Sequence, residues 1–232
     1  MLTVITGASK GIGKAIAEKF ASQGFNLALC ARTESDLLIL KNEIESKFKI
    51  QVHILSTDVS KKSEVEKFAN FVQKLNEKVA VLINNAGVFV QGQVHNEAEG
   101  ILETMINTNL YSAYYLTKAL ILGMIEQKKG HIFNICSIAS IMPYANGGSY
   151  SISKYAMYGM TKVLREEMKP LGIRVTAILP GATLTNSWSG SDLPSERFIK
   201  SEDVAEAVFS AYHLSENSVI EEMIIRPQLG DI

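Results

Sequence analysis

Short apolar runs alternate with longer amphipathic segments along the whole of this 232-residue chain. This alternation predicts parallel strands joined by crossover helices, because parallel strands cannot be joined by tight turns. Several runs are apolar on both faces, as in a sheet covered on both sides. The predicted strands are 2–6, 26–30, 52–56, 79–83, 131–136, 174–179 and 223–225. We therefore expect one α/β domain over residues 1–232, a Rossmann-type doubly wound parallel sheet of about seven strands with helices on both faces.

Composition limits the classes of partner. The 23 basic and 24 acidic residues give a net charge of −1 without a basic block, which disfavours nucleic acid. No apolar run approaches ~18 residues and no basic leader precedes an apolar stretch, so neither membrane insertion nor export is expected. Cys30 and Cys136 lie within apolar runs, which fits buried thiols in a reducing compartment. We expect a soluble, cytoplasmic protein.

A glycine-rich turn lies between the first predicted strand and the first helix, with the sequence Thr6-Gly-Ala-Ser-Lys-Gly-Ile-Gly13. Glycines allow the backbone to turn sharply and approach a pyrophosphate, whose charge then faces the N–H groups at the helix start. The spacing differs from the usual Gly-x-Gly-x-x-Gly pattern, and a tight turn without a ligand is the alternative. The predicted cofactor contacts in this turn are Gly7, Ser9, Lys10, Gly11, Ile12 and Gly13.

The residue after the second strand indicates which dinucleotide is bound. An acidic side chain there would accept hydrogen bonds from the adenine ribose, but this chain has Arg32. A guanidinium suits a 2′-phosphate, and Lys10 would add a second positive charge. We predict NADP(H) rather than NAD(H). The alternative is that Arg32 is an ordinary solvated side chain at a strand end.

Two further segments follow strand ends on the same side of the predicted sheet. Asp58, with its neighbour Val59, is a candidate contact to the adenine, although Asp58 and Ser60 are equally suited to capping the next helix. Asn85, Ala86 and Gly87 follow the fourth strand and combine an amide with small residues, which leave space beside a cofactor. Taken alone, this last segment indicates only a turn.

Tyr150 and Lys154 are four residues apart in a helix predicted to begin near Gly148, so they share one face, with Ser137 presented at the end of the fifth strand. An unperturbed tyrosine, with a pKa near ~10, exchanges protons poorly at neutral pH. A cation about 5 Å away at an effective dielectric of ~20 stabilises phenolate by roughly 3 kcal/mol. We therefore expect Lys154 to lower the pKa of Tyr150 by about two units. The alternative is an exposed Tyr–Lys pair without chemistry.

Taken together, these motifs resemble the short-chain dehydrogenase/reductase family over essentially the whole chain, with greatest similarity to 3-oxoacyl-thioester reductases and sepiapterin-reductase-like carbonyl reductases. The matching motifs occur in the family's order: 6–13, 84–87, Asn109-Leu110, Ser137, Tyr150 with Lys154, and Pro180-Gly181.

The resemblance implies a role for each catalytic candidate. Tyr150 would be the general acid, Ser137 would bond the substrate carbonyl oxygen, and Lys154 would hold the nicotinamide ribose. Asn109 would support a water that relays protons to Lys154, with Asn107 as a competing candidate. Further cofactor contacts are implied at Pro180, Gly181, Thr183 and Thr185.

The resemblance also suggests how the rest of the chain is used. A helix predicted from about residue 99 to 126 is more apolar than one sheet face needs, and family members pair it with a second subunit, so a homodimer or homotetramer is expected. Residues 183–200 are expected to form a substrate lid. The four histidines lack ligand spacing, so no metal is expected. The leading hypothesis from the resemblance is an NADP(H)-dependent carbonyl reductase or alcohol dehydrogenase. The competing hypothesis is an NADP-binding sensor or scaffold without turnover.

Overall fold

A single seven-stranded parallel sheet organises the molecule. The computed structural model describes residues 1–185, 188, 190 and 192–232. The strand order is β3-β2-β1-β4-β5-β6-β7, and each neighbouring pair is parallel. The strands are β1 (Leu2–Thr6), β2 (Asn26–Ala31), β3 (Val52–Ser56), β4 (Val79–Asn84), β5 (Gly130–Ile135), β6 (Ile173–Pro180) and β7 (Glu222–Ile225). The order reverses between β1 and β4, where a doubly wound sheet forms a crevice at the carboxyl ends of its strands.

Helices cover both faces of the sheet, which confirms the predicted fold class. They are α1 (Gly11–Ser22), α2 (Glu34–Lys47), α3 (Lys62–Lys74), α4 (Ile101–Ile106), α5 (Ser112–Gln127), α6 (Gly148–Met168) and α7 (Ser201–His213). One buried core joins α1, α2 and α7 to the sheet, and a second joins α3 and α5 to its other face. Cys30 and Cys136 are unpaired and buried, as predicted.

The predicted helix from residue 99 to 126 differs from the observed one. A π-helical segment, Asn107–Tyr111, separates α4 from α5. Such segments insert an extra residue per turn and often occur at functional sites. Here the π-helical segment contains Asn109, whose side chain is fully buried.

No helix in the described part of the chain is long and apolar enough to cross a bilayer.

Candidate active site

The turn between β1 and α1 leaves no space for a side chain at any of its three glycines. Gly7 and Gly11 have φ values of +62° and +54°, in the left-handed region that favours glycine. A Cβ on Gly13 would overlap the carbonyl oxygen of Gly7 and lie 2.5 Å from Nδ2 of Asn85. Ser9 and Ile12 lie in the same turn, and Ile12 packs on the core beneath it. The turn therefore brings bare backbone to the start of α1.

Asn85 holds this turn in place. Its Nδ2 donates to the carbonyl oxygens of Thr6 and Gly7 at 2.9 and 3.0 Å. In return, Oγ1 of Thr6 accepts from the backbone N–H groups of Asn85 and Ala86 at 3.1 and 3.0 Å. The segment after β4 is thus hydrogen-bonded to the turn after β1, and the side-chain amide of Asn85 fixes the backbone of this turn.

The two predicted cations differ in their surroundings. Arg32 is exposed directly after β2, and its carbonyl oxygen accepts from Ser56 Oγ at 2.8 Å. Lys10 is also exposed, but its ammonium pairs with Asp36 at 2.9 Å. Because Lys10 already has a carboxylate partner, Arg32 is the more available cation at this end of the crevice.

Asp58 lies in the turn between β3 and α3. Its Oδ1 accepts from the backbone N–H and the hydroxyl of Ser60, at 3.1 and 2.7 Å. These bonds hold the pKa of the Asp58 carboxyl below its usual range, and the bond from the Ser60 hydroxyl has the largest effect. The neighbouring Val59 packs on the core. Asp58 therefore stabilises the turn that leads into α3, which begins at Lys62.

The hydroxyls of Ser137 and Tyr150 meet beyond the end of β5. Ser137 follows this strand and begins a short 3-10 helix, Ile138–Ser140, where its Oγ accepts from the N–H of Ala139 at 3.1 Å. Tyr150 lies in the first turn of α6, beside Ser137. The Tyr150 ring is partly buried and packs edge-to-face on Phe89, with 4.9 Å between ring centres.

The pKa prediction for Tyr150 is wrong in direction. Burial raises the pKa of this phenol to about 12, and the neighbouring Ser137 only partly opposes that rise. Burial also lowers the pKa of Lys154. The low-polarity surroundings penalise both charged forms, and this outweighs the attraction assumed from the four-residue spacing.

Lys154 and Asn109 both lie close to Gly87. Lys154 donates from Nζ to the carbonyl oxygen of Ile135 at 2.8 Å. A Cβ on Gly87 would lie 3.3 Å from Oδ1 of Asn109 and 3.5 Å from Nζ of Lys154, so a larger residue here would press on both groups. Asn109 exchanges two hydrogen bonds with the backbone of Val88, at 2.8 and 3.0 Å, and donates to Ser153 Oγ at 2.9 Å.

The segment after β6 reaches the glycine turn from the other side. Pro180 ends the strand, and the Gly181 N–H donates to the carbonyl oxygen of Ile225 at 2.8 Å. Thr183 is buried and its hydroxyl donates to the Gly181 carbonyl at 3.0 Å. Thr185 packs against Gly11, since a Cβ there would lie 2.9 Å from Cγ2 of Thr185. Thr185 thus brings the end of this segment against the glycine turn.

The ends of the predicted lid, residues 183–200, are joined to each other. Backbone hydrogen bonds connect Leu184 to Ile199 at 2.8 Å and Ile199 to Ala182 at 2.9 Å. Trp188 packs on Phe198, with 5.1 Å between ring centres. The parts of this prediction that fall on residues 186, 187, 189 and 191 lie outside the described residues.

A nicotinamide dinucleotide fits the residues at this edge of the sheet. The glycine turn leads directly into α1, which begins at Gly11, and the free backbone N–H groups at the start of this helix suit a pyrophosphate. The described ranges contain no group of three or more His, Cys, Asp or Glu residues able to hold a metal ion.

Comparison with known proteins agrees with this geometry. A family model described as short chain dehydrogenase matches residues 2–193. The chain belongs to the short-chain dehydrogenase family.

Named relatives of this short-chain dehydrogenase cover nearly its full length. The sepiapterin reductase of Chlorobaculum tepidum is 32% identical over 239 residues, covering 100% of this chain and 98% of the relative. A metagenomic short-chain oxidoreductase solved with NADP is 31% identical, with a TM-score of 0.86 and coverage of 98% and 97%. An alcohol dehydrogenase from Thermococcus sibiricus, solved with 5-hydroxy-NADP, is 30% identical, with a TM-score of 0.90 and coverage of 98% and 96%.

The sequence analysis missed a buried polar network in this short-chain dehydrogenase. Asn84 donates from Nδ2 to Thr117 Oγ1 at 3.0 Å and to Asn134 Oδ1 at 2.8 Å, and Asn134 donates to Thr161 Oγ1 at 2.8 Å. This chain of bonds joins β4 and β5 to α5 and α6 directly beneath the site. Asn84 and Asn134 stand inside otherwise apolar strands, and this could have predicted the network, because buried polar groups require hydrogen-bond partners.

Proposed function

We propose that this protein is an NADP(H)-dependent oxidoreductase that transfers hydride between nicotinamide and a carbonyl or secondary alcohol. The observation that carries this proposal is that Tyr150 lies beside Ser137, with Lys154 one turn further along the same helix, at the same sheet edge as the glycine turn. A nucleotide site alone would serve a sensor, but a proton donor beside it serves a reaction.

Each side chain has a proposed task in the reduction direction. The cofactor, when bound, supplies the hydride. Ser137 donates a hydrogen bond to the substrate carbonyl oxygen, and Tyr150 donates the proton that this oxygen takes up. Lys154 binds the nicotinamide ribose and helps to return a proton to Tyr150, and Asn109 supports a water in that relay. In the oxidation direction, Tyr150 accepts the proton from the alcohol.

The cofactor preference is proposed to rest on Arg32. Its exposed guanidinium at the end of β2 offers planar donors and a full charge to a 2′-phosphate. Binding of NADP by the metagenomic relative and of 5-hydroxy-NADP by the Thermococcus relative supports this assignment. Gly7 to Gly13 are proposed to hold the pyrophosphate, Asp58 and Val59 to border the adenine, and Pro180 to Thr185 to border the nicotinamide.

For the substrate, we propose a 3-oxoacyl thioester or a small ketone. The similarity to a sepiapterin reductase supports a ketone. The site supports an uncharged group next to the reacting carbonyl, because residues 85–96 and 137–149 contain no Asp, Glu, Lys or Arg. Phe89, Val90, Met142 and Tyr144 are 40–48% exposed in these two segments and offer apolar surface. Residues 183–200 are proposed to close over this surface as a lid.

We further propose a cytoplasmic homodimer or homotetramer. The unpaired buried thiols of Cys30 and Cys136 support a reducing compartment. Exposed apolar side chains on α5, on α6 and on the π-helical segment before α5 support self-association. They are Tyr111, Tyr114, Leu122, Ile152, Tyr155 and Val163. Light scattering after size exclusion measures the mass, and a monomer at micromolar concentration would contradict this assembly.

The test of the proposed function is NADPH oxidation by purified protein against a small carbonyl panel. The panel contains an acetoacetyl thioester, a diketone, a pterin ketone and a keto-sugar, and the Tyr150→Phe variant is the control. Turnover of one class that disappears in the variant supports the proposal and names the substrate group. NADPH binding without turnover of any member favours the sensor or scaffold instead.

A further inference from the structure

Glu97 and Ser149 are joined across 52 residues of sequence. The Ser149 N–H donates to Oε1 of Glu97 at 2.9 Å, and the Ser149 hydroxyl donates to Oε2. Glu97 is partly buried and Ser149 is almost fully buried. Both carboxylate oxygens of Glu97 are therefore directed at the second residue of α6, and Tyr150 is the third.

The start of α6 receives its cap from this distant carboxylate. The residue before the helix, Gly147, provides no side-chain hydrogen bond, so α6 has no cap of its own. A Cβ on Gly148 would overlap Oε1 of Glu97, and Gly148 itself has a φ of +32°. Helix N-termini are stabilised by anionic groups and by acceptors for their free N–H groups. Glu97 supplies both to the helix that carries Tyr150 and Lys154.

Further contacts hold the segment that carries Glu97, residues 88–97, against the segment before α6. The Gly92 N–H donates to the Asn146 carbonyl at 3.1 Å, and Gln93 Nε2 donates to Asn146 Oδ1 at 2.8 Å. At the other end of the segment, Asn109 holds Val88, and Phe89 packs on the Tyr150 ring. The segment is thus fixed at both ends and touches Tyr150 between them.

We propose that Glu97 is a positioning residue for the reaction, which sets the first turn of α6 and with it the Tyr150 hydroxyl relative to Ser137. This inference rests on the proposed function, because it assumes that Tyr150 donates the proton. Glu97 reaches Tyr150 only through Ser149 and the helix backbone. Its removal therefore moves the proton donor and leaves the glycine turn and Arg32 in place.

The test compares Glu97→Ala and Glu97→Gln with Glu99→Ala, which removes an exposed carboxylate two residues away. In Glu97→Ala, kcat for the best carbonyl in the panel falls about tenfold, since a small misplacement of a reacting group is costly. The dissociation constant for NADPH stays within about twofold, because the cofactor contacts lie elsewhere. Glu97→Gln keeps an acceptor for the Ser149 N–H and restores most of kcat. Glu99→Ala matches the unmodified protein.

Deuterium uptake by the peptide covering residues 146–153 gives a readout that needs no substrate. Glu97→Ala increases this uptake relative to Glu99→Ala, because the Ser149 N–H loses its acceptor. Unchanged kcat with unchanged uptake would overturn the inference, and so would equal losses of kcat and NADPH affinity. Equal losses of kcat in the Ala and Gln variants would also overturn it, since the Gln variant keeps the hydrogen bond. If no panel member is turned over, the proposed function fails, and the uptake comparison still decides whether Glu97 holds α6.

Discussion

The Lys154 ammonium lies 5.8 Å from the centre of the Tyr150 ring and donates its hydrogen bond to the backbone of Ile135. Burial raises the pKa of the phenol to about 12 and lowers that of the ammonium. The protein thus holds the tyrosine in its protonated form throughout the neutral range. A protonated phenol beside Ser137 suits a group that gives up its proton only when the carbonyl oxygen gains charge.

Replacing Tyr150 by phenylalanine removes the hydroxyl proposed to donate the proton and keeps the ring that packs on Phe89. We expect turnover to fall by about 10²- to 10⁴-fold, the usual contribution of a general acid. NADPH affinity stays within about twofold, because the cofactor contacts are unchanged. Steady-state kinetics and a fluorescence titration measure the two quantities. Tyr158→Phe, in the same helix with its hydroxyl bonded to Glu222, is the matched control and keeps full activity. Substantial turnover in the Tyr150 variant would refute the assigned role.

Tyr150 also has a characteristic alkaline titration in the absence of cofactor. Because its folded-state pKa is raised to about 12, it stays protonated beyond the ordinary tyrosine pKa of ~10. Its contribution to stability is fully present below the ordinary tyrosine pKa of ~10 and is lost as the pH rises towards its folded-state value. The difference in phenolate absorbance between the unmodified protein and Tyr150→Phe measures this one group. We expect no difference between about pH 8 and pH 10. A difference band near pH 8 would show that Lys154 lowers the pKa after all.

The proposed contact of Arg32 with the 2′-phosphate can be tested by comparing the two nicotinamide cofactors. Arg32→Asp replaces the cation proposed to bind the 2′-phosphate with a repelling charge. A charge-assisted hydrogen bond contributes about 1.5–3 kcal/mol, so we expect NADPH affinity to fall roughly 10- to 100-fold. NADH affinity stays constant or improves, which makes it an internal control. Lys10→Ala has a smaller effect, because Lys10 is already paired with Asp36. Calorimetric titration with both cofactors measures these changes, and equal losses for the two would argue against the assignment.

Gly13 lies where an added methyl group meets the backbone. A Cβ in Gly13→Ala would overlap the Gly7 carbonyl oxygen and lie 2.5 Å from the Asn85 amide nitrogen. We expect a loss of about 1–3 kcal/mol in unfolding free energy, together with weaker NADPH binding. Gly123→Ala in α5 is the matched control, since no heavy atom lies within 4 Å of its added Cβ. It gains up to about 1 kcal/mol. Denaturant unfolding compares the two, and a Gly13→Ala variant as stable as the control would contradict the packing described here.

Much of the fold could be predicted from the sequence, because its signals are local. The glycine turn lies directly between a strand and a helix, and parallel strands bring all their carboxyl ends to one edge. That rule alone placed Arg32, Asn85 and Ser137 on the same side as the glycine turn. The ends of elements were less predictable: β4 continues to Asn84, and β5 begins at Gly130.

Features that depend on distant packing could not be predicted. The sign of the pKa shift at Tyr150 follows from burial, which the spacing to Lys154 does not reveal. The cap on α6 comes from Glu97, 52 residues before the serine it binds. The π-helical segment around Asn109 contains no glycine or proline that would mark a change of helix type. Each of these depends on which segments meet after the sheet has formed.

The hydrogen bonds between Thr6 and the Asn85 segment also order the events of folding. They join residues 79 and 80 positions apart, so the first 30 residues cannot complete the glycine turn by themselves. The turn is finished only when β4 takes its place beside β1 at the centre of the sheet. Contacts between residues so far apart in sequence form slowly, because closing the intervening loop costs conformational entropy. A nucleotide that binds this turn therefore stabilises the chain only after β1 and β4 have come together.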